Sequence, residues 1–340
     1  MPMPRNNPLQ TVLTVILNWR TAEMTERATR AALRAMEGVD GAITIVDNDS
    51  GDGSFEHLRA AFAGHPRVQV LQSGHNGGYG AGNNVGIRAG LPGGQRPDLV
   101  FLLNSDAFPA PDAIRILRDY LTAHPDTGMA GSHVHGSDGE PHVTCFRFPT
   151  AWSELEGAAH TGVISRLLGR FQVPITPPDA PARVDWLSGA SLMIRSDVLD
   201  RVGLFDERFF LYFEETDLCR RAAGAGWPCV YVPDSQVEHI GSVSTGMREW
   251  SRVPRYWFDS RWHYFRKHHG RSGVMLATLA HLAGGVIWGL RRVLQRRGAK
   301  TPPYFFRDLV RHAGRRLLSR GPKGGALKQR PQSASQEYST

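Results

Sequence analysis

Hydrophobic positions in the first 125 residues alternate between two patterns. "TVLTVILN" (Thr11–Asn18), "AITIVDN" (Ala42–Asn48), "RVQVL" (Arg67–Leu71) and "LVFLLN" (Leu99–Asn104) are short apolar runs of strand length, as expected of strands covered on both faces. Between them, "EMTERATRAALRAM", "SFEHLRAAFA", "NNVGIRAG" and "PDAIRILRDYLTAH" read as helices, with apolar residues three and four apart in the longer ones. The alternation predicts an α/β fold with a mostly parallel sheet and helices on both faces. Such sheets bind ligands outside the carboxyl ends of their strands. Polar residues stand at those ends here: Asn18, then Asp47 with Asp49, then Asn104 and Asp106.

The alternation weakens after about Thr127, and residues 133–185 are rich in Gly, Pro and His. A second ordered block runs from "VDWLSGASLMIRSDVL" to "VYVPDSQVEHIGSVST". At 340 residues, 41% hydrophobic and 21% charged, the chain has the composition of a soluble globular protein with room for a large core. The net charge of +8 is uneven, because Ser251–Gly325 holds 17 Lys or Arg against Asp259 and Asp308 alone. That segment carries +15 and the remainder −7, so the C-terminal region is expected to meet something anionic. Within it, "YFFRDLVRHAGRRLLS" gathers Phe305, Phe306, Leu309, Val310, Leu317 and Leu318 on one helical face, flanked by arginines, the pattern of a helix lying in an anionic membrane surface. Ser272–Leu290 is barely long enough to span a bilayer and is diluted by glycines and His281, so it reads as interfacial. Cys145, Cys219 and Cys229 are odd in number without CxxC spacing, which favours a reducing compartment. "MPMPRNNPLQ" contains no apolar segment of the signal-peptide kind.

Four motifs carry candidate chemistry. In "IVDNDSGDGS", Asp47 at a strand end can accept from N3–H of uracil or thymine, while Asp52 and Ser54 suit a helix cap. "HNGGYGAGNN" crowds four glycines after Asn76, allowing close approach to an anion. The dinucleotide fingerprint GxGxxG fails in both registers, at Asn83 and Val85. Asp106 in "NSD" suits a hard cation that draws most of its shell from phosphates and water. "FFLYFEETDLCRRA" places Glu214, Glu215 and Asp217 at the mouth of an aromatic segment, where burial raises a carboxylate's pKa toward that of a useful base. His239, one of fourteen histidines, is unremarkable by itself.

Taken in order, "VILNW", "VDNDSGDGS", "HNGGYGAGNNVGIR", "LLNSDAF", "WLSGASLMIR", "FDERFFLYFEETDLCRRA" and "EHIGSVST" resemble the inverting glycosyltransferases of family 2, most closely the bacterial rhamnosyltransferase-like members that build cell-surface polysaccharides. The resemblance covers about Val12 to Thr245 and implies the GT-A fold, Rossmann-like, followed by a basic helical region. The implied organisation is a disordered 1–9, a GT-A domain at 10–246, a basic membrane-associating region at 247–322 and a disordered tail at 323–340. It further implies a donor site of Asn18, Asp47, Asp49, Asn76, Gly77, Asn84 and Asn104, for a nucleoside-diphosphate sugar such as a dTDP-rhamnose-like or UDP-sugar donor. Asp106 matches the last acid of the family's metal motif, and Asn104 stands where its first acid would be. Asp106 and His239 are the implied ligands of Mg²⁺ or Mn²⁺. Glu215 falls at the general-base position, where relatives carry Asp, with Glu214 or Asp217 as substitutes, and Trp186 to Ala190, including Gly189, resembles the acceptor loop. The implied acceptor is a glycan or lipid-linked glycan at the cytoplasmic face of the plasma membrane, with no nucleic acid involved. A nucleotidyltransferase of the same fold would carry a glycine- and lysine-rich loop after its first strand, and "LNWRTAEMTERAT" has no glycine. A non-catalytic binder of anionic surfaces or nucleic acid would account for the charge and leave the acidic motifs idle.

Overall fold

A computed structural model describes residues 11–241, 251–296, 298 and 302–318. The expected 1–9 and 323–340 termini, and the end of "EHIGSVST", lie outside these residues. In chain order the elements are β1 Thr11–Asn18, α1 Ala22–Ala35, β2 Asp40–Asp47, α2 Ser54–Ala61, β3 Val68–Gln72, α3 Tyr79–Ala89, β4 Leu99–Asn104, β5 Ala107–Pro109, α4 Ala113–Ala123 and β6 Met129–His135. Then come β7 Cys145–Phe146, α5 Ala151–Ala159, α6 Gly162–Leu167, β8 Pro174–Ile175, β9 Ala182–Val184, β10 Trp186–Leu187, β11 Ser191–Arg195, α7 Ser196–Val202, α8 Glu214–Gly224, β12 Cys229–His239, α9 Arg255–Leu294 and α10 Phe305–Leu318.

The main sheet runs β3-β2-β1-β4-β11-β6-β12-β5, with β9 also on β12. β1 to β4 are parallel, and β11 lies antiparallel between β4 and β6. This is the expected GT-A arrangement. Both faces of the sheet are covered, which explains the unbroken apolar runs. On β1, Val12 and Ile16 pack toward Ala32, Leu58 and Leu117, while Leu13 and Val15 pack on the side of Leu199, Leu218 and Cys219. The three cysteines are buried and unpaired.

Two local readings change. α3 begins at Tyr79, so Gly80 and Gly82 lie inside the helix, as Gly86 does, and not in a loop before it. A Cβ on Gly82 would fall 2.4 Å from Leu17 Cδ1, and one on Gly86 2.6 Å from Val15 Cγ1. These two glycines let α3 press against β1. Between β4 and α4, where no strand was expected, the short strand β5 pairs with the end of β12.

α9 is broken at Gly270, whose φ of 72° is left-handed. Its first half buries Phe258, Trp262, Tyr264 and Phe265, three of them clustered with Phe209 beside α8. Its second half packs on α5, where Gly284 leaves no room for a side chain against the Leu155 carbonyl. α10 returns onto α9 through Phe305, Leu309 and Ala313, so only part of its apolar face, Val310, Leu317 and Leu318, remains exposed. The outer face of α9 carries Leu276, Leu279, Val286, Leu290 and Val293, all exposed and spaced by threes, fours and sevens.

Candidate active site

Pairing in register sets the polar strand ends side by side: Asn18 opposite Asp47, and Leu17 opposite Asn104. Asp47 is fully buried. Its Oδ1 accepts from Asn18 Nδ2 at 2.7 Å and Ser50 Oγ at 2.6 Å, and its Oδ2 from the Ser50 N–H at 3.1 Å. Asn18 is fixed in turn by Thr25 Oγ1 at 2.7 Å. Here Asp47 shapes the turn that carries Asn48 and an exposed, left-handed Asp49 (φ 59°). Asn48, which sequence reasoning did not single out, donates to Asn76 Oδ1 at 3.0 Å and to the Gly78 carbonyl at 3.2 Å. It ties the end of β2 to the glycine loop, and its own Oδ1 is buried without a partner.

The loop meets the segment ahead of α8. Tyr79 N–H donates to the Phe210 carbonyl at 3.0 Å. Gly78 has φ 86°, and a Cβ there would strike that same oxygen at 1.7 Å. Gly77 precedes it in the loop, where a Cβ would crowd Ala81 at 2.7 Å. Asn84, expected on the donor side, is used otherwise. Its amide donates to the Phe205 carbonyl at 3.0 Å and Glu207 Oε1 at 2.9 Å, and its oxygen accepts from Phe205 N–H at 3.0 Å. It anchors α3 to the 203–213 segment.

Asp106 and His239, 133 positions apart, are brought together because β5 follows Asp106 directly and pairs His239 with Ala107. His239 Nε2 lies 3.0 Å from Asp106 Oδ1 and 3.3 Å from Asn104 Nδ2. Among the described residues no group of three or more His, Cys, Asp or Glu forms a metal cage. A carboxylate and an imidazole at one point nevertheless suit a hard cation that completes its shell with diphosphate oxygens and water.

Tyr212 and Phe213 both have φ of 70°, costly for residues with side chains, and they swing the chain into α8. The first turn of α8 then delivers Glu214 and Glu215. Burial, then the charge of Glu215, raises the Glu214 pKa well above its usual value. Burial also raises that of Glu215, against the opposing hydrogen bonds from its own N–H and that of Gly189. Oε2 of each glutamate is buried without a partner. Tyr79, another residue not foreseen, donates from its hydroxyl to the Gly189 carbonyl at 2.8 Å. Burial, then the charges of Glu215 and Glu214, raises its pKa too, so it stays a donor. The next peptide, Ala190, accepts from Asn104 N–H at 3.1 Å. A continuous chain of contacts therefore runs from the Asp106–His239 pair through Asn104 and Gly189 to Glu215, and through Tyr79 to the glycine loop. Trp186 stacks on Phe146 at 4.0 Å on the strand leading into this loop.

Asp217, two residues beyond Glu215, belongs to a different environment. It is fully buried and accepts from His268 and Lys267, each at 2.7 Å, and from Arg221 at 2.8 Å. Burial favours its neutral form, but the bonds from His268 and Lys267, with the Arg221 charge, prevail and hold its pKa at about 2. These contacts tie α8 to α9.

The sequence profile described as Glycosyltransferase like family 2 matches residues 9–273. The chain belongs to this family. It is similar to the N-acetylglucosaminyl-diphospho-decaprenol L-rhamnosyltransferase of Mycobacterium tuberculosis, 34% identical over 223 residues, 60% of this chain and 68% of that protein. It is also similar to the low-salt glycan biosynthesis hexosyltransferase Agl10 of Haloferax volcanii, 29% identical over 180 residues, 52% of each. The fold is shared with a mannosyltransferase of Pyrobaculum calidifontis, solved in complex with GDP-Man and Mn²⁺, at a TM-score of 0.50 and 14% identity over 94% of this chain and 90% of that one. The protein is thus a rhamnosyltransferase-like glycosyltransferase of the hexosyltransferase type.

Proposed function

We propose that this transferase moves a hexosyl group, from a dTDP-rhamnose-like or UDP-sugar donor, onto a hydroxyl of a lipid-linked glycan, with inversion at the anomeric carbon. The observation that carries the reading is Glu215: a carboxylate of raised pKa, held by the Gly189 N–H, with an enclosed and unpartnered Oε2. The mycobacterial relative, whose name specifies rhamnosyl transfer onto a lipid diphosphate, supports the donor and acceptor classes.

Glu215 Oε2 takes the proton of the acceptor hydroxyl as that oxygen bonds to the anomeric carbon. The bond from that carbon to the diphosphate breaks on the opposite face, and the nucleoside diphosphate leaves with the electron pair. One displacement inverts the centre, so one carboxylate base is enough; base assistance of this kind contributes about 10²–10⁴-fold. Asp106 and His239 are the residues that would hold Mg²⁺ or Mn²⁺, which when bound supplies positive charge to the leaving diphosphate. The Asn48–Asn76–Gly78 contacts order the donor loop, and Tyr79 sets the Gly189 peptide that orients the base.

In the same proposal the basic region, 247–322, holds the enzyme peripherally at the inner face of the plasma membrane. α9 is long and apolar enough to cross a membrane by length and composition, with mean hydropathy 1.6 over its best window. Its break at Gly270 and the packing of its first half on the catalytic body support lying in the surface, with the exposed Leu276–Val293 face toward lipid. The test is a panel of nucleotide sugars incubated with a polyprenyl-diphosphate-linked acceptor, with and without Mg²⁺ or Mn²⁺, following diphosphate release and the product's anomeric configuration. Cation-dependent release with an inverted product is expected. Release from no sugar nucleotide, or a retained configuration, overturns the reading.

A further inference from the structure

We propose that the groove between α9 and the segment entering α10 is a binding site for the phosphate head of an anionic membrane lipid. The groove has a volume of about 720 Å³. Gly289, the aromatic residues Trp288, Tyr304 and Phe306, and the cationic residues Arg292 and Arg307 are among those that line it.

Its shape follows from two glycines one turn apart. At Gly285 a Cβ would fall 2.2 Å from the Phe306 ring, so that ring presses on the bare helix backbone and fixes the segment. At Gly289 nothing lies within 4 Å of where a Cβ would be. Glycine inside a helix weakens it, and here no neighbour takes up the space it leaves.

The charges point the same way. Arg292 has no hydrogen-bond or ion-pair partner among the described residues. Arg307 lies 3.4 Å from Asp308, which is already held by Arg252 at 2.6 and 2.8 Å. Its guanidinium sits 4.1 Å from the Tyr304 ring centroid, which helps to hold it in place. Two arginines and three aromatic residues lining one groove suit a ligand with a phosphate at one end and hydrocarbon at the other. Exposed Leu290 and Val293 flank the groove residues on the helix, which continues the apolar surface toward the acyl chains. A free phosphate would leave the aromatic walls unused.

This site rests on the membrane-surface reading above, and the experiment separates the two. Full-length protein is titrated with dihexanoyl-phosphatidylglycerol below its micelle concentration, with dihexanoyl-phosphatidylcholine and inorganic phosphate as controls, by calorimetry. In parallel, sedimentation with phosphatidylcholine vesicles containing phosphatidylglycerol reads membrane adhesion. Saturable one-to-one binding of the phosphatidylglycerol is expected, about tenfold or more tighter than either control. Gly289→Leu, which enters open space, and Arg292→Gln combined with Arg307→Gln on the surface should each weaken it about tenfold. Both variants should still sediment with vesicles through the outer face of α9. Failure of the wild type to sediment removes the membrane reading and this site with it. Sedimentation without saturable short-chain binding, or binding that both variants retain, overturns the groove alone.

Discussion

Glu215 and Asp217 stand two residues apart on one helix, and their surroundings treat them in opposite ways. Glu214 is buried and Glu215 half-buried, each with one buried oxygen left unpartnered and its pKa raised. Asp217, fully buried, is saturated by His268, Lys267 and Arg221. The same contrast recurs on a larger scale. Asp206 receives His263, Lys267 and Arg208, and Glu154 receives a fully buried Arg261 together with His281. The basic C-terminal region is therefore in part the counter-charge of the acidic body. Buried acids that meet a base of α9 tie the body to that helix, and the pair denied one is the pair proposed above for the chemistry.

Substitutions should separate these two classes. The largest loss outside the base itself is expected for Asp106→Asn. Turnover should fall about 10²-fold and lose its response to Mg²⁺ or Mn²⁺ concentration, with melting temperature unchanged. Asp217→Ala should do the reverse. It leaves Lys267, Arg221 and His268 without their buried acceptor and should cost about 3–5 kcal/mol in stability, read by denaturant unfolding, while the folded fraction keeps its turnover per molecule. Similar turnover losses in both variants would erase the distinction.

pH sharpens the same contrast. The Glu215 pKa is raised above the ordinary glutamate value of 4.5. Its base form is lost as pH falls through that raised value, so the acid limb of kcat should lie above 4.5. Asp217 and Glu154 are lowered to about 2 from 3.8 and 4.5, in each case despite burial, by the α9 bases. The stability they lend is complete above those ordinary values and is lost as pH falls toward about 2. Activity should therefore disappear at a higher pH than helical circular dichroism. The smallest effect belongs to Tyr79→Phe, which removes one hydrogen bond to the Gly189 carbonyl. A drop of about 3- to 10-fold in kcat with KM little changed is expected.

The first four strands were legible to within a residue or two, because strands buried on both faces print continuous apolar runs. The start of α3 was harder, since Gly80 and Gly82 look like a loop until Phe205 is seen pressing on the first and Leu17 of β1 on the second. His239 could not be singled out by local pattern: its meeting with Asp106 depends on β5, three residues long, pairing with β12. Acidic residues were easy to find in "FEETD", but their roles were not. Which of them faces an arginine or histidine is decided by α9, some fifty residues further on. Tyr79 and Asn48 carry no signature of their own. Their importance comes from the Gly189 and Gly78 peptides that they hold.

The most direct trial is single-turnover transfer by Glu215→Gln beside the wild type, with donor affinity measured on the same samples. The expected result is unchanged donor binding and a rate lower by about 10²–10⁴-fold. A rate within a few-fold of the wild type would mean that the enclosed carboxylate on α8 takes no proton, and another group would have to be sought.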